Sequence, residues 1–258
     1  MRLLFVETTV HMEADETFAV TGGDAKERSR DMGIFKLFGK RGAQEETLPP
    51  EYYTERETEE LEGYIEETFG ASEYVLHDLL IRDMHIDIVV IDPAPDRPYY
   101  TLVTMGMGSH RMNVPRKVSK YRLEYAELVM YLPKTWDMNS QEDQHAWAVQ
   151  WMKRIPEMVQ DTQSWIGMGH LIDYNQTSLI SGVGFRAAAT MPVFDNEGEW
   201  VRKQLSTGRQ LSFYQLIPLY HEEAVYAQRE GEVLKVLERM DDDQIRMAAD
   251  VNRKNFGY

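Results

Sequence analysis

Between Tyr99 and Trp136 the chain carries two β-patterned runs joined by a turn rich in glycine, methionine and basic residues. Tyr100 to Met105 is a run of β-branched and aromatic positions, the signature of a half-buried strand. Gly106 and Gly108 end it. Leu123 to Leu132 reads as its partner, with Leu123, Tyr125 and Glu127 on one face and Glu124, Ala126 and Leu128 on the other. From Leu128 onward both faces are apolar, so the pattern predicts a strand inside a sheet covered on both sides, ended by Pro133.

The rest of the chain fits around this pair. Tyr53, Glu57, Leu61, Tyr64, Ile65 and Phe69 recur three and four apart, which predicts a helix over 51–69, stopped by Gly70. Two short strands follow, Tyr74 to Leu80 and His85 to Ile91. Trp147, Trp151 and Ile155 mark a buried helical stripe that Pro156 is expected to kink or restart. Ser164 to Ile172 reads as strand or turn, and Phe185 to Met191 and Leu211 to Leu219 as strands. A helical stretch over 221–240 is interrupted by Gly231, and a last helix from Gln244 to Val251 is capped by the aspartates at 241–243. Residues 1–50 are the least patterned, with short strand candidates at 1–10 and 18–20 and a basic-aromatic cluster at 35–41. They are expected to form a loose extension ahead of a domain over 51–258. The order lacks a regular βαβ alternation and predicts an α+β fold: a mixed, largely antiparallel sheet covered by helices.

Charge sharpens the picture. Lys and Arg number 28 against 43 Asp and Glu, a formal net charge of −15. Such a chain repels nucleic acid and anionic membranes at long range and attracts basic partners, although acidity also serves plain solubility. No run is long and apolar enough to span a bilayer, and Glu7 interrupts the N-terminal apolar run too early for a signal peptide. The absence of cysteine excludes disulfides and thiolate metal sites and fits a cytoplasmic setting.

Candidate chemistry is sparse. None of the seven histidines forms a specific metal pattern; His221-Glu222-Glu223 begins like a zinc-protease helix, but Val225 stands where the second histidine belongs. His85 with Asp87, and His170 with Asp173, would serve acid-base or metal-assisted hydrolysis if the fold brought them into one cleft. The alternative is that they are outward strand positions or core histidines. Gly106-Met107-Gly108-Ser109-His110-Arg111 has the small residues and the base of an anion loop, but no phosphate-binding or nucleophile-elbow motif surrounds it. Met105, Met107 and Met112 suit either an adaptable contact surface or the core.

Several sequence words, in order and spacing, resemble the suppressor of fused domain family, specifically its short bacterial members. They are His85-Ile86-Asp87 with Pro93, Tyr99 to Met107, Met112 with Pro115, and Ala126 to Pro133 with Trp136. Trp165-Ile166-Gly167 with Gly169-His170 follows, then Phe213 to Tyr220 with Glu222, Glu223 and Gly231. The resemblance runs from about residue 74 to 253. Pro156 departs from the pattern, since the family's tryptophan-bearing helix usually continues there. The chain also ends where the domain ends, so it is expected to lack the second domain of the animal Hedgehog-pathway protein, and with it part of that protein's grip on its peptide.

The resemblance implies an α/β sandwich that binds protein and carries no catalytic residues, no cofactor and no metal. Bacterial members are similar to immunity proteins that neutralise polymorphic toxins, which makes a basic toxin domain the expected partner. A general peptide-sequestering module is the alternative, and a His/Asp hydrolase a third reading. The expected interface is the turn, Gly106, Met107, Ser109, His110 and Arg111, together with the acidic face of the 51–69 helix.

Overall fold

A computed structural model of the chain describes residues 52–77, 84–140, 142–173 and 183–258. The strand candidates at 1–10 and 18–20, the basic-aromatic cluster and the end of the 74–80 strand lie outside these residues. The described elements are α1 (Glu55–Phe69), β1 (Tyr74–Leu76), β2 (Asp87–Ile91), β3 (Tyr99–Met105), β4 (Tyr125–Pro133) and α2 (Asp143–Asp161). They continue with β5 (Leu171–Asp173), β6 (Phe185–Pro192), β7 (Arg202–Gln204), β8 (Gln210–Tyr220), α3 (His221–Glu230), α4 (Leu234–Leu237) and α5 (Asp242–Arg246).

The strands form one sheet in the order β1-β2-β3-β4-β8-β6-β5, with β7 paired to β8 outside that path. All neighbours are antiparallel except β4 and β8, which run parallel at its centre. This is the mixed, largely antiparallel sheet that the sequence pattern predicts. The period of two along each strand sorts side chains between its covers. Ile88, Val90, Leu102, Leu128, Met130 and Tyr214 pack with Trp147, Trp151 and Ile155 of α2. Their alternates Val89, Ile91, Val103, Val129 and Phe213 face Leu61, Ile65 and Phe69 of α1. Farther along that second face, Ala187, Ala189, Ile217 and Leu219 lie under α3 and α4. Small alanines on β6 let these helices approach closely.

Local chemistry sets the helix ends. Thr54 caps α1 reciprocally with Glu57: its hydroxyl accepts from the Glu57 amide, and the Glu57 carboxylate accepts from the Thr54 amide. The helix therefore starts at residue 55 and leaves Tyr53 outside it. Gly231 caps α3, and Asp241 caps α5, which is shorter than the predicted 244–251 helix and starts two residues earlier. Of the two expected effects of Pro156, a kink or a restart, the restart does not occur: α2 runs through it from Asp143 to Asp161. A proline removes one amide donor, but Trp147, Trp151, Met152 and Ile155 are wholly buried, and their packing outweighs one lost hydrogen bond.

The C-terminal segment is locked by a second buried acid. Arg253 forks the Glu223 carboxylate at 2.6 and 2.7 Å. It also donates to the carbonyls of Ala248 and Pro218, and its guanidinium stacks over Tyr220. Glu223 further accepts from the amides of Tyr220 and Phe256.

Candidate functional site

The 106–111 turn is folded inward. Gly106, Met107, Gly108, Ser109 and His110 are all buried, and only Arg111 points out, 3.6 Å from Glu124. The cause is Glu127, which the sequence reading placed on a strand face without a role. It is the third residue of β4, wholly buried, on the face that looks toward α1. One of its oxygens accepts from the amides of Gly106 and Gly108, at 3.1 and 3.0 Å, and from the Tyr53 hydroxyl at 2.6 Å. The other accepts from the Thr104 hydroxyl at 2.6 Å, which itself accepts from the Leu128 amide.

The turn is thus wrapped around a carboxylate, and its glycines are required by closeness. A Cβ at Gly106 would collide with the His85 carbonyl, and one at Gly108 would stand 2.5 Å from Leu211 Cδ2 and closer still to the Tyr53 hydroxyl. Burial raises the Glu127 pKa above the usual carboxylate range; the four donors oppose that shift without cancelling it. Burial and the adjacent carboxylate push the Tyr53 phenol well above its ordinary value. This cluster ties the segment before α1 to the sheet and draws the turn inward. The signal in the sequence was a single carboxylate inside the apolar run Ala126 to Leu132, opposite a Gly-x-Gly turn. Met105, Met107 and Met112 are core residues as well.

The predicted His85–Asp87 pair is assembled and gains a member. Asp87 lies 3.0 Å from both His85 Nε2 and His77 Nδ1. The pairing of Leu76 with Ile88 explains His77, since one more step along the hairpin sets residue 77 against residue 87. Among the described residues no group of three or more histidine and carboxylate side chains is arranged to hold a metal.

His170 is elsewhere. It precedes β5, five strands across the sheet from β2, a separation of about 24 Å at the usual strand spacing. Its ring is buried edge-on against Trp165 at a 4.4 Å centroid distance. Burial lowers its pKa to about 4. The two histidine groups therefore do not share a cleft, and His170 is a neutral core histidine.

The outward face of α1 carries Glu55, Glu59, Glu62 and Glu66, all exposed, with Glu67 beside them. Arg56, paired with Glu60, is the cation within the same helix. No helix among the described residues is long and apolar enough to cross a membrane.

Comparison with known proteins places this geometry. In the Sufu–Fu complex crystal structure one chain superposes with a TM-score of 0.53 at 16% identity, covering 81% of this chain and 93% of that one. Drosophila Suppressor of Fused gives 0.54 at 15% identity, over 81% of this chain; the match spans 51% of that protein's chain. A suppressor of fused homologue from Neisseria gonorrhoeae gives 0.50 at 11% identity, over 78% and 96% of the two chains. At such identities the likeness is one of fold. A comparison with curated protein sequences finds no match. The family model for the suppressor of fused protein, however, matches residues 82–254, from five residues ahead of β2 to one residue past Arg253, and the chain belongs to the suppressor of fused family.

Proposed function

We propose that this chain is a non-enzymatic, cytoplasmic immunity protein that neutralises a basic toxin domain by binding it directly. Membership of the family fits a protein-binding role, and a related chain is seen in the Sufu–Fu complex. The observation that carries the finer reading is charge: −15 overall, with an exposed glutamate row along α1. An acidic face of this kind steers a basic partner to rapid encounter and loses that advantage as salt rises. The separation of His85 and Asp87 from His170 supports binding over the hydrolase alternative.

Within this reading the contact surface shifts from the buried turn to the α1 face, with Arg111 as the part of the turn that a partner can touch. The test is co-expression with each toxin-like protein encoded beside the gene, followed by co-purification at low and high salt. Protection from one such protein, with a complex that dissociates at high salt, is the expected result. Absence of both protection and complex would overturn the immunity role and favour a peptide-sequestering regulator.

A further inference from the structure

On the sheet face shared by α1 and α5, two cations converge on a pair of tyrosines. Tyr99 and Tyr131 meet edge to face across β3 and β4, with ring centroids 5.3 Å apart. The Arg97 guanidinium lies 6.0 Å from the Tyr99 ring and that of Arg246 lies 5.8 Å from it. Both arginines and both tyrosines are half-buried, so the group is neither core nor open surface.

Each arginine is positioned by its own element. Arg97 sits in a tight turn closed by reciprocal backbone hydrogen bonds with Ala94, and its guanidinium donates to the Tyr99 carbonyl and the Thr101 hydroxyl. It has no carboxylate partner among the described residues, and its other flank is the end of α1, where Gly70 leaves room for it. Arg246 projects from α5, which is tied to the sheet by the Gln215 amide donating to the Ile245 carbonyl. The Arg246 partner is Asp243 at 3.3 Å, a carboxylate 90% exposed, a pairing of little strength in water. Both positive charges act on the Tyr131 hydroxyl, whose pKa burial holds well above its usual value. That hydroxyl makes no hydrogen bond among the described residues.

Two guanidiniums beside one tyrosine ring, with an unused hydroxyl on the neighbouring ring within the field of both, are unexpected in a chain with a net charge of −15. Guanidinium forks match oxyanions, and partial desolvation strengthens such contacts. We propose that Arg97, Arg246 and Tyr131 form an oxyanion-binding notch between α1 and α5 that takes a carboxylate or phosphate group. The proposal is independent of the immunity reading, because a basic toxin surface would avoid this spot.

The full chain, labelled at the arginine Nε–H groups, is titrated with sodium phosphate and separately with sodium malonate at constant ionic strength. Saturable shifts of Arg97 and Arg246, weakened about tenfold or more in Arg246→Gln and several-fold in Tyr131→Phe, are expected. Saturation by phosphate alone assigns a phosphate ligand, and saturation by malonate alone or by both admits a carboxylate. Arg97 also packs against α1, so the two other variants, checked for native circular dichroism, keep the test valid if Arg97→Gln fails to fold. Non-saturable shifts with both anions, or saturable binding unchanged in Arg246→Gln, would overturn the notch.

Discussion

Replacing Glu127 by alanine tests whether the buried carboxylate organises this domain. The substitution removes the acceptor for four donors: the Gly106 and Gly108 amides and the Tyr53 and Thr104 hydroxyls. Each buried donor left unpaired costs about 1–3 kcal/mol. The hydroxyls can rotate toward other acceptors, whereas the amides are set by the turn. Relief of carboxylate desolvation returns part of the loss. The expected destabilisation is about 3 kcal/mol, read as a fall of about 1.5 M in the urea midpoint for a slope near 2 kcal/mol per M. Glu127→Gln keeps an oxygen where three donors meet and places its amide group toward Thr104, so it should cost about 1 kcal/mol. Tyr53→Phe supplies the second arm of a double-mutant cycle, with an expected coupling to Glu127 of about 1.5 kcal/mol. A loss below about 1 kcal/mol in the alanine variant, or an equal loss with glutamine, would refute the idea that hydrogen-bond geometry at this acid holds the turn.

Three further outcomes follow from neighbouring geometry. Gly108→Ala, forced against Leu211 and the Tyr53 hydroxyl, should lower stability by about 2 kcal/mol in thermal unfolding, while Gly198→Ala, with open space around it but a positive φ, should cost only about 1. Arg253→Ala leaves Glu223 charged and wholly buried, so a loss of about 3–5 kcal/mol and early proteolysis of the C-terminal segment are expected. His170, with a pKa lowered to about 4, takes up its proton in the unfolded chain first. Its contribution is intact above about pH 6.5 and lost as pH falls from there toward 4, by up to about 3 kcal/mol; His170→Gln should flatten the stability profile in that window relative to the parent protein.

Much of the fold was written in short-range pattern. Alternation located β2, β3, β4, β6 and β8 to within about two residues, because each buries one or both faces and so carries an unbroken apolar signature. β7 escaped because Arg202-Lys203-Gln204 is polar throughout and gains strand geometry only by pairing with β8. The continuity of α2 escaped because proline chemistry is local, whereas the burial that overrides it comes from the whole sheet face. The candidate site was the least legible part. Tyr53 and Glu127 are 74 residues apart in sequence, and a glycine- and base-rich turn looks the same whether it opens to solvent or closes on a carboxylate. Asp87 was visible beside His85, but His77 entered through strand register alone.

The acids of this chain divide into two uses, and the division bears on how it binds. Glu57, Glu127 and Glu223 are each buried with their hydrogen bonds taken up. Each joins a peripheral segment to the sheet: Glu57 reaches Thr207 and Arg209 between β7 and β8, Glu127 holds Tyr53, and Glu223 holds Arg253. Buried charge of this kind is weak as a source of net stability, yet stranding it by removing its partner is costly, so each glutamate depends on the segment it ties being in place. These glutamates are therefore spent on architecture and contribute little directed field outside. The exposed row on α1 is the opposite case, since its members are solvated and their common direction is what a cationic partner would sense. A sheet pinned by inward acids and bordered by an outward acidic helix suits a binder that changes shape little on association, and for such a binder charge sets the encounter rate while packing sets the lifetime.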